Sequence, residues 1–157
     1  MSSQTGQDLP LNILLVDDNE ADVKIALRAF DQARHKNRLF VARNGQECVD
    51  FVRHQGGFTD ASRYPKPDLI LLDISMPVMD GFGVLKDLKG DAELRSIPIV
   101  VMTGSNNEGD ICRCYAGGAN SFIRKPVAYE EFVEVVEGFN HYWHHINSLP
   151  GRKDRME

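Results

Sequence analysis

No apolar run in this 157-residue chain approaches the roughly 20 residues a helix needs to cross a bilayer. The start, Met1 to Leu9, is Ser/Gln/Gly-rich and lacks the apolar stretch of a secretion signal, so neither insertion nor export is expected and the chain reads as cytoplasmic. Basic excess is missing too. Eighteen Lys and Arg against 23 Asp and Glu give a net charge of −5, which argues against nucleic acid or an anionic membrane as partner. Cysteine is scarce: Cys48, Cys112 and Cys114 are an odd number in a reducing compartment. The Cys-Arg-Cys pair lacks zinc-motif spacing, so free thiols are expected. The length suits one domain, with residues 1–10 as a disordered tail, 11–146 as the folded unit and 147–157 as a second tail.

What the chain has instead is a series of short aliphatic runs that end on polar residues. Asn12 to Val16 runs into Asp17 and Asp18, Leu69 to Leu72 into Asp73, and Pro98 to Met102 into Thr103. Ser121 to Ile123 ends at Arg124-Lys125-Pro126, and a weaker run, Arg38 to Ala42, precedes Asn44-Gly45. Each run is too short for a helix and suits a strand buried on both faces of a parallel sheet.

Helical periodicity fills the gaps. Val23, Ala26, Leu27 and Phe30 make one stripe over Glu20 to Ala33, and Cys48, Phe51 and Val52 make a second. A third helix starts at Gly81, capped by Asp80, turns Phe82, Leu85 and Leu88 inward and stops at Gly90. The fourth begins near Asn106 or Asn107 and ends before Gly117-Gly118; the fifth runs from Tyr129 to Ile146 with Phe132, Val136, Phe139, Trp143 and Ile146 inward. Residues 54–67 read as a solvated surface loop, with Phe58 and Tyr64 as the features that would suit binding.

Alternating strands and helices imply a flavodoxin-like, doubly wound α/β fold: a five-stranded parallel sheet in the order 2-1-3-4-5 with five helices. In that order strands 1 and 3 are neighbours, about 4.8 Å apart, at the switch point where open sheets bind ligands. Asp17, Asp18, Asp73, Thr103 and Lys125 then share one rim. Singly, each has a plainer reading as a capping residue, a strand-end hydroxyl or a solvated charge. Together, three carboxylates in one cleft repel unless a cation intervenes, and an all-oxygen site with room for water suits Mg²⁺, for which Mn²⁺ could substitute. A cation beside a carboxylate, a hydroxyl and an ammonium group handles phosphoryl groups, with Asp73 as nucleophile and an aspartyl phosphate as product.

Over roughly Leu11 to Ile146 the chain resembles a response-regulator receiver domain of two-component signalling. The resemblance is carried by Asp17-Asp18, Asp73 with Met76-Pro77-x-x-Asp80-Gly81, Thr103-Gly104 and Lys125-Pro126. It implies that Asp73 accepts phosphate from a sensor histidine kinase, that Asp18 ligates Mg²⁺ directly and Asp17 through water, and that the Ser75 backbone carbonyl completes the protein ligands. It also implies a cis-proline junction at Lys125-Pro126 and a switch in which Thr103 moves toward the phosphoryl group and Phe122 rotates inward, remodelling helix 4, strand 5 and helix 5. Phe122 lacks the hydroxyl often found there. Ser75 and Ser105 occupy positions that tune lifetime in the family; neither is an acid or amide, so a long-lived phosphoryl group is expected.

Only one helix and a tail follow Lys125, so output by protein contact is expected, not by an attached DNA-binding or enzymatic domain. The aromatic helix end, Phe139 to Ile146, suits a homodimer through helix 4, strand 5 and helix 5. His141 and His145 stand i, i+4, with no third metal ligand assignable. The opening motif and the Tyr142-Trp143 ending resemble regulators paired with phytochrome-type kinases, with a chemotaxis-type regulator as the rival. Two other classes stay open: a phosphatase of the haloacid dehalogenase type, which would need a second aspartate where Ser75 stands, and a receiver-shaped scaffold that never carries phosphate. A flavin module is disfavoured, because Asp17-Asp18-Asn19-Glu20 would repel an FMN phosphate.

Overall fold

β1 (Asn12–Val16) and β3 (Leu69–Leu72) are buried along their whole length in a computed structural model that describes residues 10–105, 107–125 and 128–146. Burial on both faces explains why neither alternates apolar with polar residues. Each fully buried aliphatic side chain contributes about 1.5–3 kcal/mol relative to exposure. With β2 (Arg38–Ala42), β4 (Ile99–Thr103) and β5 (Ser121–Arg124) they form one parallel sheet in the order β2-β1-β3-β4-β5. The expected flavodoxin-like order is the observed one.

Successive strand residues feed opposite faces. Leu14, Val16, Ile70, Leu72, Ile99 and Val101 pack with residues of α2 (Gly45–Arg53), α3 (Gly81–Lys89) and α4 (Glu108–Ala116). Ile13, Leu15, Leu69, Leu71, Val100 and Met102 pack on the other face with α1 (Glu20–Gln32) and α5 (Tyr129–His141). Helix starts follow local chemistry: the Asn19, Asn44, Asp80 and Asn107 side chains each accept a backbone N–H of the first turn.

Four expectations need correction. Leu27 is exposed, while Ala29 and Ala33 turn inward; at about 100° per residue the buried arc centres on Ala26 and leaves Leu27 at its margin. Phe82 is only half-buried, packed at the margin of the core and covered in part by the guanidinium of Arg113, 3.8 Å from the ring centroid, while Val84 takes the inward position. Residues 54–67 are not simply solvated. Phe58 and Tyr64 fold over Phe51, with ring centroids 5.2 and 5.6 Å from it, and His54 Nε2 lies 2.9 Å from the Tyr64 carbonyl oxygen.

Finally, the last helix is α-helical only to His141 and continues as a π-helical turn, Tyr142–Ile146. Trp143 is half-buried there, and His144 is buried. His144 Nε2 lies 2.8 Å from Asn37 Oδ1, Asn37 Nδ2 donates to Asn140 Oδ1 at 2.8 Å, and Asn140 Nδ2 donates to the His35 carbonyl at 3.2 Å. A polar knot therefore ends the apolar stripe. Residues 1–9 of the tail expected for 1–10, the tail expected for 147–157, the Lys125-Pro126 junction, and the side chains of His145 and Ile146 lie outside the described residues. No helix among the described residues is long and apolar enough to cross a membrane.

Candidate functional site

Register builds the site. β1 and β3 pair Val16 with Leu72, so the next residues, Asp17 and Asp73, leave the sheet side by side, and the Asp73 N–H donates to the Val16 carbonyl at 3.0 Å. Asp17 and Asp73 are buried and Asp18 is exposed. One carboxylate oxygen from each of Asp17, Asp18 and Asp73 falls within 4.8 Å of the others. Oxygen donors at that spacing fit a hard divalent cation, with the exposed side of Asp18 left for water.

β4 and β5 supply the opposite wall. Thr103, now the last residue of β4, is buried, and its carbonyl accepts the Lys125 N–H at 2.8 Å, which carries the lysine off the end of β5 toward the acids. Lys125 Nζ stands 2.6 Å from Asp17 Oδ2, 2.8 Å from Asp22 Oδ2 and 3.3 Å from Asp73 Oδ2. Burial disfavours the ammonium, but the bonds to Asp17 and Asp22 and the field of Asp73 outweigh it and hold Lys125 above the ordinary lysine range. For Asp17 the balance tips the other way. Burial, reinforced by the neighbouring Asp73, raises its carboxyl above the usual range despite hydrogen bonds from Lys125 and the Asn19 N–H.

Asp22 was not singled out from the sequence. The signal available was its place in the first turn of α1, four residues after Asp18, with its own N–H held by Asn19 Oδ1 at 3.0 Å.

The loop after β3 is held by close backbone contacts that exclude side chains. A Cβ on Gly81 would fall 2.6 Å from Ile74 Cα, and one on Gly45 would fall 2.2 Å from the Met79 carbonyl oxygen, which the Gly45 N–H itself binds at 3.0 Å. Between them Val78 takes φ +70° in a three-residue turn closed by Met79 N–H to the Pro77 carbonyl at 2.8 Å. Positive φ is strained for a β-branched residue. The loop and α4 border an open cleft of about 450 Å³ lined by Asp18, Ser75, Met76, Asp80, Phe82 and Asp110.

A profile of the response regulator receiver domain family matches residues 13–137. The chain belongs to this family. Among individual relatives, the receiver is 36% identical over 143 residues to the probable methanogenesis regulatory protein FilR2 of Methanothrix harundinacea, covering 90% of this chain and 89% of that one. The structure of the phosphorylated cyanobacterial phytochrome response regulator RcpA superposes with a TM-score of 0.83 at 33% identity, covering 91% of this chain and 100% of that one. A Mn²⁺-bound form of the response regulator Rcp1 gives 0.80 at 32%, covering 90% and 100%; Rcp1 is from Synechocystis.

The remaining positions singled out for the receiver lie around the same rim. The Ser75 N–H donates to Asp73 Oδ1 at 3.3 Å, tying the loop to the carboxylate. Ser105 Oγ donates to Asp110 Oδ2 at 2.7 Å, which engages its hydroxyl with α4. Phe122 is half-buried against the α2/α3/α4 face of the sheet, one strand position beside Val101.

Proposed function

We propose that this receiver is a phosphoacceptor switch of two-component signalling, in which Asp73 takes a phosphoryl group from a histidine kinase. The convergence of Asp17, Asp18 and Asp73 within 4.8 Å, with Lys125 3.3 Å from Asp73, carries the reading. A carboxylate oxygen of Asp73 attacks phosphorus, the P–N bond of the donor phosphohistidine breaks, and a P–O bond forms. Lys125 neutralises phosphoryl oxygens, and Thr103 turns its hydroxyl toward them. Asp17, Asp18 and Asp73, with the Ser75 backbone carbonyl, would hold a divalent cation such as Mg²⁺, which would supply further charge neutralisation when bound.

Thr103 moving toward phosphate opens space that the Phe122 ring enters, which changes the surface of α4, β5 and α5. That surface carries the output. Tyr115 on α4 and Tyr142 beyond α5 are both exposed, and they support pairing of two copies across it. Likeness to the phytochrome response regulator RcpA favours a phytochrome-type kinase as donor.

Ser75 stands where a phosphatase of the haloacid dehalogenase type would need its general acid, so the receiver modifies itself and turns over no external ester. The test is incubation with acetyl phosphate and Mg²⁺, read on a phosphate-affinity gel. A shifted band in the parent, absent with chelator and in Asp73→Asn, is expected. A band that persists in Asp73→Asn, or none in the parent, refutes the reading, and the second result favours a scaffold.

A further inference from the structure

The ammonium of Lys125 faces three carboxylates, and its order of approach is informative: Asp17 at 2.6 Å, Asp22 at 2.8 Å, Asp73 at 3.3 Å. Asp17 belongs to the carboxylate trio close enough to share a cation, and Asp22 stands outside it. Asp22 is nonetheless fixed. Its backbone N–H is capped by Asn19 Oδ1, and with Asp17, Asp73, Lys125 and Phe132 it encloses a small recess beneath the rim.

We propose that Asp22 is a positioning residue that anchors Lys125 away from Asp73 in the resting protein and thereby sets the rate at which Asp73 acquires phosphate. This rests on Asp73 being the phosphoacceptor. To neutralise a phosphoryl group on Asp73, Lys125 must shift from the closer Asp22 toward the more distant acid, and breaking a charge-assisted hydrogen bond opposes that shift. Asp22 also adds negative charge that repels an anionic donor. Both effects slow phosphorylation. Because the Asp22 side chain is 37% exposed, solvent screens the contact, and its removal should accelerate phosphorylation about three- to tenfold, just below the range for charged hydrogen bonds.

The experiment measures initial rates of phosphorylation by acetyl phosphate at saturating Mg²⁺ in the parent, Asp22→Asn, Asp22→Glu and Glu20→Gln. Glu20 lies in the same helical turn but pairs with Arg43, so it controls for loss of negative charge alone. Asp22→Asn should be about three- to tenfold faster, while Asp22→Glu and Glu20→Gln stay within about twofold of the parent. A parent-like or slower rate in Asp22→Asn, or an equal gain in Asp22→Glu or Glu20→Gln, overturns the proposal. A parent that acquires no phosphate overturns the phosphoacceptor reading itself, and this one with it.

Discussion

Replacing Asp73 by Asn should stabilise the cation-free protein. At an effective dielectric constant of about 20, two like charges 4.8 Å apart, the outer limit for Asp17 and Asp73, repel by about 3.5 kcal/mol. Attraction between Asp73 and Lys125 at 3.3 Å recovers about 5 kcal/mol on the same scale. Asp18, within the same distance but exposed and therefore more screened, adds to the repulsion, so that repulsion and attraction roughly offset each other. The remainder is the cost of burying the Asp73 carboxylate, several kcal/mol, which an amide of the same shape avoids. A net gain of about 1–3 kcal/mol is expected, discounted for relaxation and water entry. Urea unfolding in chelator, followed by the single tryptophan, Trp143, should show the midpoint of Asp73→Asn raised by about 0.5–1.5 M for a slope near 2 kcal/mol per M. Adding Mg²⁺ should close the gap, since tenfold excess over the dissociation constant stabilises the parent by about 1.4 kcal/mol. A lower midpoint for Asp73→Asn in chelator would refute the reasoning.

The raised Asp17 carboxyl makes cation-free stability depend on pH. The folded state holds that proton more tightly than the unfolded chain, so its contribution is present below the ordinary carboxylate range and lost as pH rises through the folded value; melting in chelator should fall across that window and level off in Asp17→Asn. Thiol reactivity should separate the cysteines: burial pushes Cys48 up to about 12 and Cys114 up to about 11, while Cys112 is exposed, so a maleimide should label Cys112 alone in the native protein. Gly81→Ala should destabilise by about 1–3 kcal/mol, read by urea midpoint, because the new Cβ meets backbone at Ile74 and Asp73 that cannot yield without moving the loop. Val78→Gly should stabilise by roughly 1 kcal/mol in the same assay, since Val78 is 80% exposed and its removal relieves positive φ at little packing cost.

Strands that end on acids were legible because a buried parallel strand writes its whole length in aliphatic residues, and the first polar residue marks where the sheet meets solvent. That rule located Asp17, Asp73 and Thr103 together once the strand order was fixed. Asp22 stayed hidden because a carboxylate in the first turn of a helix is usual whether or not it binds a lysine from 103 residues away. The π-helical turn was unreadable for a related reason. Trp143 continues the α5 stripe on paper, but the hydrogen bonds of His144 and Asn140 to the segment before β2 decide the last turn, and they join residues about a hundred positions apart. Phe58 and Tyr64 likewise needed Phe51 as a platform before they could be distinguished from exposed loop aromatics.

The measurement closest to the central claim is chemical trapping of the acyl phosphate. Borohydride reduces a phosphorylated aspartate to homoserine, and peptide mass spectrometry then locates it. After treatment with acetyl phosphate, homoserine at position 73 in the presence of Mg²⁺, and its loss in chelator, is the expected result. Homoserine at another acidic residue, or equal yield at position 73 without a divalent cation, would contradict it.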